Sequence, residues 1–231
     1  MIAPDLSRAP DLTTTIDGGA AISGCPAGAI FCDDFETGDL SRWPNPVTNC
    51  KAGTVEGVDG TRAFRGARSL HATEPNTGVS GGCDLSLPIN PVSSGVLAVR
   101  FYVYSPALLR GDWTGLLYFD DGAYVALGDN TMPGQWKIYW AADYYGIGVQ
   151  ETPGAWQCVE EVLDVTNSRI ELFVDDAANP NPSKAPIVTL PNVGVGTIST
   201  IDFGLMNTPG GLAEDVSFDD VAVANHRIGC E

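Results

Sequence analysis

Short stretches of alternating apolar and polar residues dominate this chain from Ile30 onward. In the clearest stretch, 97–104, apolar residues occupy the odd positions and Arg and Tyr share the even ones with Ala. A period of two is that of a β-strand with one buried face. Further stretches of this kind cover 113–119, 123–127, 135–141, 156–165, 169–174, 198–206 and 216–224. With no amphipathic helix between them, about ten such strands predict an all-β fold, a two-sheet antiparallel β-sandwich or jelly roll.

Two local features refine this prediction. Thr166-Asn167-Ser168 separates two of the predicted strands and indicates a β-hairpin. In the last strand, Val216 and Phe218 have one parity while Val221 and Val223 have the other. Because a regular strand cannot change face, a β-bulge is expected at Asp219-Asp220.

The first residues differ from the rest of the chain. Residues 1–24 are rich in Pro, Thr, Asp and Gly and have no periodicity, which predicts an extended tail or linker. Residues 25–231 are then expected to form a single β-sandwich domain. The β-prone segment 12–16 leaves open a second possibility, in which the tail donates a strand to a neighbouring copy.

The cysteines indicate an oxidising compartment. There are 6 of them, scattered along the chain without a C-x-x-C pair, which favours disulfides over zinc ligation. Six cysteines allow several pairings, and Cys50 with Cys83 is the pair we expect first. The protein is expected to be secreted or at the cell surface, with any signal peptide already removed.

The charge limits the class of partner. A net charge of −17 argues against nucleic acid or an anionic membrane, and no apolar run is long enough to insert into a membrane. Acidic residues also stand near both ends of the predicted domain. Because the first and last strands of a sandwich often lie side by side, these carboxylates could hold a structural calcium ion; capping of turns, or pairing with Arg42 or Arg227, is the alternative. The proposed ligands are Asp33, Asp34, Glu36, Asp219 and Asp220.

Several segments resemble the concanavalin A-like lectin/glucanase domains of secreted bacterial proteins. The resemblance covers roughly residues 30–230, and the segments that carry it are 32–43, 66–71, 155–160, 170–176 and 218–229. It implies a jelly roll that acts on or binds carbohydrate, since this superfamily includes lectins, carbohydrate-binding modules, glycoside hydrolases and polysaccharide lyases. A fold of this kind does not by itself specify the chemistry.

The leading hypothesis is non-catalytic carbohydrate binding, with a polysaccharide or other glycan as the partner. If Trp136, Ile138 and Trp140 face the core, the residues between them lie on an open face, which could adjoin the polar face of 97–104. Aromatic rings there would stack on sugars and polar groups would bind hydroxyls. The expected sugar-binding residues are Arg100, Tyr102, Tyr104, Gln135, Lys137 and Tyr139.

Three other functions remain open. A polysaccharide lyase would eliminate across a uronan, and the resemblance to jelly-roll lyases implies His71, Arg100, Tyr102 and Tyr139 as its catalytic groups. A glycoside hydrolase ranks below it, because Glu160, Glu161 and Asp164 do not have the spacing of sandwich glucanases. The third is a structural subunit of an extracellular assembly, held together through the N-terminal tail.

Overall fold

The computed structural model describes residues 25–45, 50–109, 114–121, 123–127, 134–141, 143–145, 149–177, 184–206 and 213–230. The expected tail, 1–24, and Trp113 of the predicted strand 113–119 lie outside these residues. The described part forms two antiparallel sheets packed face to face, which confirms the predicted sandwich. No helix that could cross a membrane occurs in it.

The larger sheet has eight strands, in the order β12-β11-β10-β5-β14-β3-β2, with β1 also pairing with β14. Its strands are β1 (Phe31–Asp33), β2 (Val55–Asp59), β3 (Ser69–Glu74), β5 (Val96–Tyr104), β10 (Gln157–Asp164), β11 (Arg169–Asp176), β12 (Val188–Pro191) and β14 (Glu214–Ala224).

The smaller sheet has six strands, in the order β4-β13-β6-β7-β8-β9. Its strands are β4 (Leu85–Val92), β6 (Thr114–Phe119), β7 (Tyr124–Leu127), β8 (Trp136–Trp140), β9 (Asp143–Tyr145) and β13 (Ile198–Met206). The two prolines of β4 are accommodated because β4 is an edge strand, where a missing N–H does not interrupt the ladder.

The core lies between the sheets and is built by the alternation seen in the sequence. From the larger sheet, Leu97, Val99, Phe101 and Val103 of β5 enter it, as predicted. The smaller sheet contributes Phe119, Trp136, Ile138, Ile201 and Phe203. The rings of Phe101, Phe203 and Phe218 meet edge to face, with centroids 4.8–6.1 Å apart, and so join the sheets.

The predicted hairpin is confirmed, since β10 and β11 pair along their whole length around residues 165–168. The two ends of the domain also meet as expected: β1 lies beside β14, with Phe31 opposite Val223. The predicted bulge is confirmed too, because the β14–β5 register shifts between Asp219 and Ala222, and Asp220 has a φ of 47°.

Three disulfides connect segments of the chain that lie outside the strands to the sandwich or to each other. Cys50–Cys83 confirms the expected pair, and the others are Cys25–Cys32 and Cys158–Cys230. Cys158–Cys230 fixes the segment after β14 against β10, where it packs beside Tyr102.

Candidate functional site

A row of tyrosines crosses the smaller sheet at right angles to its strands. Tyr118 of β6 is the register partner of Tyr124, Tyr124 is the partner of Tyr139, and Tyr139 is the partner of Tyr144. On the opposite side Tyr118 pairs with Asp202, which pairs with Ser86 of β4. One residue from each of the six strands therefore lies on a single line. We call this line, Ser86-Asp202-Tyr118-Tyr124-Tyr139-Tyr144, the tyrosine row.

The row lies on the outer face of the sheet. Tyr118 stands between Leu117 and Phe119, which are both core residues. Asp202 likewise stands between Ile201 and Phe203 in the core. Because neighbouring residues of a strand point to opposite faces, Tyr118 and Asp202 point away from the core. Both side chains are half-buried.

The β8–β9 end of the row carries an aromatic pair and a cation. The rings of Tyr139 and Tyr144 lie 4.9 Å apart at an interplanar angle of 54°. Lys137, which precedes Tyr139 on the same face, places its Nζ 5.7 Å from the centre of the Tyr144 ring. A cation over a ring face is favourable, so Lys137 helps to hold Tyr144 in place. Trp136 and Ile138 face the core, as predicted.

The opposite end of the row is acidic. Asp84 lies next to β4, and burial together with the charge of Asp202 raises the pKa of its carboxyl. Lys51 partly offsets this effect. Carboxylates therefore stand beside β4 and on β13, and an ammonium stands on β8.

The expected neighbourhood of Arg100, Tyr102 and Tyr104 with Gln135, Lys137 and Tyr139 is wrong. The first three lie on β5 of the larger sheet, while Lys137 and Tyr139 lie on β8 of the smaller one. Since both sets point away from the core, they lie on opposite outer faces of the sandwich. The sequence could not show this, because alternation identifies a face but not the sheet to which a strand belongs.

Arg100 and Tyr102 are also covered by the segment 60–68, which crosses the outer face of the larger sheet. The Phe64 ring stacks on Tyr102 at 3.9 Å, and Arg62 forms two hydrogen bonds with Asp215. Only 1% of Arg100 and none of Tyr102 is exposed. Neither side chain can contact a ligand in this arrangement. Tyr104 is half-buried between Arg62 and Trp156.

The four groups expected of a lyase are likewise not brought together. His71 lies on β3, where its Nδ1 is 2.7 Å from Asp59 and its Nε2 is 3.1 Å from Asp215. Arg100 and Tyr102 are buried on β5, and Tyr139 belongs to the other sheet. A shared elimination site made of these four residues is therefore wrong. His71, on β3, instead links Asp59 of the edge strand β2 to Asp215 of β14.

The acids near the two ends do meet, but most of them accept hydrogen bonds from the protein. Asp33 accepts from the Phe35 N–H and the Trp43 indole N–H, both at 2.9 Å, and burial raises its pKa to about 6. Glu36 accepts from Ala67 and Arg68 N–H, each at 2.8 Å. These carboxylates hold loops against the sandwich.

Asp219 and Asp220, at the bulge, have different surroundings. Asp219 accepts from the N–H groups of Phe64 and Arg65, and burial raises its pKa to about 7. Asp220 is fully buried, with Oδ2 3.2 Å from Arg65 Nη1. Burial raises the pKa of Asp220, the charges of Arg65 and Arg100 lower it, and those of Asp34 and Glu36 raise it.

This arrangement does not fit a calcium ion as it stands. In the described ranges no three His, Cys, Asp or Glu side chains converge as metal ligands. Arg65 already balances the charge of Asp220, and Asp33, Asp34, Glu36 and Asp219 each accept at least one N–H. Calcium at these acids stays a prediction that needs the Arg65 contact to open.

The sequence analysis identified only Tyr139 and missed the five other members of the tyrosine row, which are Ser86, Asp202, Tyr118, Tyr124 and Tyr144. Tyr118 and Asp202 each sit between two apolar residues, so the signal for an outward-facing position was present. Their alignment depends on the order and register of six strands, which alternation within one strand does not encode.

The sequence matches no protein-family model and no curated protein. Solved structures are similar in fold. The cellulose-induced protein Cip1 has a TM-score of 0.66 at 21% identity, over 87% of this chain and 100% of that one. An endo-β-1,4-glucuronan lyase from the fungus Trichoderma reesei has a TM-score of 0.62 at 13% identity, over 85% and 95%. The alginate lyase vAL-1 from a Chlorella virus has a TM-score of 0.53 at 14% identity, over 86% and 100%. The chain therefore has the concanavalin A-like jelly-roll fold that its sequence resembles.

Proposed function

We propose that this protein binds a polysaccharide along the tyrosine row. The observation that carries the proposal is the register that aligns one residue from each of the six strands of the smaller sheet, with Tyr118 and Asp202 facing outward. Adjacent strands lie about 4.8 Å apart, so the row is roughly 20 to 25 Å long. That length accommodates several consecutive sugar rings of an extended chain rather than one monosaccharide.

The chemistry of the row supports the same proposal. A tyrosine ring offers an apolar face to the C–H groups of a sugar, and its hydroxyl can hydrogen-bond to the sugar's hydroxyls. Ser86 and Asp202 supply further polar groups at one end. Two of the structures with a similar fold, a glucuronan lyase and an alginate lyase, are also proteins that act on polysaccharides. Binding without catalysis is the simplest function that these groups support.

Affinity gel electrophoresis and calorimetry with soluble polysaccharides would test this proposal. Tyr139→Ala removes one ring of the Tyr139–Tyr144 pair. The loss of one aromatic contact should weaken binding by about tenfold. Tyr104→Ala, on the other sheet, is the matched control and should bind as the wild type does. Equal affinity of Tyr139→Ala and wild type, with both folded, would contradict the proposal.

A polysaccharide lyase acting at the same row is the second candidate. The observation in its favour is the group formed by Lys137, Tyr139 and Tyr144. A β-elimination needs a cation near the uronate carboxylate and a group that takes the C5 proton, and an ammonium beside two phenols supplies both types. Increasing ultraviolet absorbance from an unsaturated product, abolished in Tyr139→Phe, would favour this candidate over simple binding.

We also propose that the protein works outside the cytosol. Three disulfides within one chain are typical of oxidising compartments. Assembly through residues 1–24 concerns residues outside the described ranges and stays a prediction. Cross-linking of the full chain and of a chain beginning at Cys25 would show whether these residues contribute to association.

A further inference from the structure

Charge on the smaller sheet is distributed in a way that bears on the ligand of the proposed site. Lys137 is the one cationic residue in the sequences of this sheet's six strands, while Asp143 and Asp202 are its acids. Asp202 occupies a position in the tyrosine row, next to Tyr118, and is half-buried. Asp84 adds a second carboxylate near it, because Asp84 directly precedes Leu85, the register partner of Phe203.

The single cation of these strands is directed toward the protein. Lys137 is only 4% exposed, and its Nζ lies over the Tyr144 ring. An ammonium in this position supports the ring and has little surface left for a ligand. Asp202 is more accessible, so the charge that a ligand meets at the β13 position of the row is negative.

We infer that the tyrosine row accepts neutral polysaccharides and rejects polyuronates, an inference that rests on the proposed function. A polyuronate carries a carboxylate on every sugar, and a chain lying along the row would place one of them beside Asp202. Like charges brought together at a partly desolvated surface oppose binding. A neutral chain would meet no such penalty, and Asp202 would accept hydrogen bonds from its hydroxyls.

The presence or absence of a carboxylate on the ligand also distinguishes the two candidate functions, binding and elimination. Elimination needs a carboxylate next to the C5 carbon, because the carboxylate makes the C5 proton removable. A neutral polysaccharide has no such group and can be bound by the row but not cleaved by elimination. If the row selects neutral chains, the lyase candidate is excluded and binding is the function that remains for the row.

The test compares two panels of soluble polymers on the full chain by affinity electrophoresis. The neutral probes are hydroxyethyl cellulose, mixed-linkage β-glucan, arabinoxylan and galactomannan, and the polyuronates are glucuronan, alginate and polygalacturonate. Each is measured in low and in physiological salt with the wild type, Asp202→Asn and Asp143→Asn. Asp143 is exposed on β9 and lies off the row, so its variant changes the net charge equally and serves as the matched control.

We expect the wild type to bind at least one neutral probe and to bind each polyuronate at least tenfold more weakly. Asp202→Asn should strengthen polyuronate binding about fivefold in low salt, with Asp143→Asn unchanged. Equal gains in both variants would mean that net charge alone excludes polyuronates, which overturns the local argument. If the wild type prefers a polyuronate and Tyr139→Ala no longer binds that polyuronate, the inference is overturned while the proposed function stands. If no probe binds, or binding survives Tyr139→Ala, the proposed function itself fails.

Discussion

Glu160 and Glu161 are adjacent on β10 and face opposite sides of the larger sheet, where only Glu160 lies beside hydrogen-bond donors and a cation among the described residues. Both are fully buried. Glu160 accepts hydrogen bonds from the N–H groups of Ile228 and Gly229 and lies 3.4 Å from Arg227 Nε. Glu161 points between the sheets, and neither of its carboxyl oxygens has a hydrogen-bond partner among the residues that the structure describes. Burial, and to a smaller degree the charge of Asp121, raises the pKa of Glu161 well above its ordinary value.

Replacing these two glutamates by leucine should therefore change stability in opposite directions. Glu161→Leu removes a buried carboxyl that makes no hydrogen bond with the described residues. The substitution should raise the free energy of unfolding by about 1 kcal/mol or more at neutral pH. Glu160→Leu leaves two buried N–H groups and Arg227 without their acceptor, and should lower it by about 2 to 4 kcal/mol.

Denaturant unfolding at pH 7 measures both effects in one host protein. The pair controls for the cost of placing leucine on β10, because the two positions are neighbours on one strand. A Glu161→Leu variant less stable than the wild type would show that its carboxyl has a partner that stabilises it.

A second group of buried acids makes stability depend on pH. Glu214 lies opposite Glu74 in the β14–β3 register, and Glu151 is close enough to be affected by its charge. Burial, then the charge of Glu214, raises the pKa of Glu74 to about 7; Glu151 is raised to about 7 by burial as well. The folded state thus holds protons more tightly than the unfolded state, so stability falls as pH rises from about 4.5 to about 7 and levels off above that.

Thermal melts at pH 5, 6, 7 and 8 should show this fall. One kcal/mol corresponds to roughly 2 to 4 °C for a chain of this size, and we expect a loss of several degrees. Glu214→Gln removes the shared charge and should flatten the profile in part, because burial remains the larger cause, whereas Glu171→Gln, on the outer side of β11, should leave the profile unchanged. A wild-type melting temperature that increases from pH 5 to pH 8 would contradict the proposed cause.

Alternation in short segments predicted eight of the fourteen strands that the structure describes, because each pattern depends on neighbouring residues; these strands are β5, β6, β7, β8, β10, β11, β13 and β14. The alternation in β5, the β10–β11 hairpin and the bulge at Asp219-Asp220 were all visible in short segments. The Cys50–Cys83 pair also followed from the sequence. The alternation, the hairpin and the bulge are set by chain geometry over a few residues, whereas the two cysteines are 33 residues apart.

The site was predicted less well, because it depends on contacts between distant segments. Arg100 looked like a binding residue on an open face, but the segment 60–68 covers that face and Phe64 stacks on Tyr102. Tyr139 was found, yet its alignment with Tyr118 passes through β7. No pattern within one strand carries that register.

The disulfides should contribute unequally to stability. Cys158–Cys230 joins residues 72 apart, whereas Cys25–Cys32 joins residues 7 apart. Chain-entropy arguments give about 4 kcal/mol for the longer loop and about 2 kcal/mol for the shorter. Paired Cys→Ala variants, compared by denaturant unfolding, should rank in this order. The reverse order would mean that the short loop at β1 is the more important anchor.

Calcium at the joined ends can be tested through Arg65. Its guanidinium balances the buried carboxylate of Asp220, and Arg65→Ala would leave that charge beside Asp34 and Glu36 uncompensated. We expect Arg65→Ala to be less stable than the wild type in EDTA, by about 2 to 4 kcal/mol. Millimolar calcium should then restore part of the loss, because a divalent cation favours clustered carboxylate oxygens. The wild type should respond less, since Arg65 competes for the same oxygens.

Melting curves in calcium, magnesium and EDTA measure this response to calcium, with Arg42→Ala as the control for loss of a cation near β1. If calcium shifts neither the wild type nor Arg65→Ala, the acids at the two ends of this sandwich hold loops and no metal.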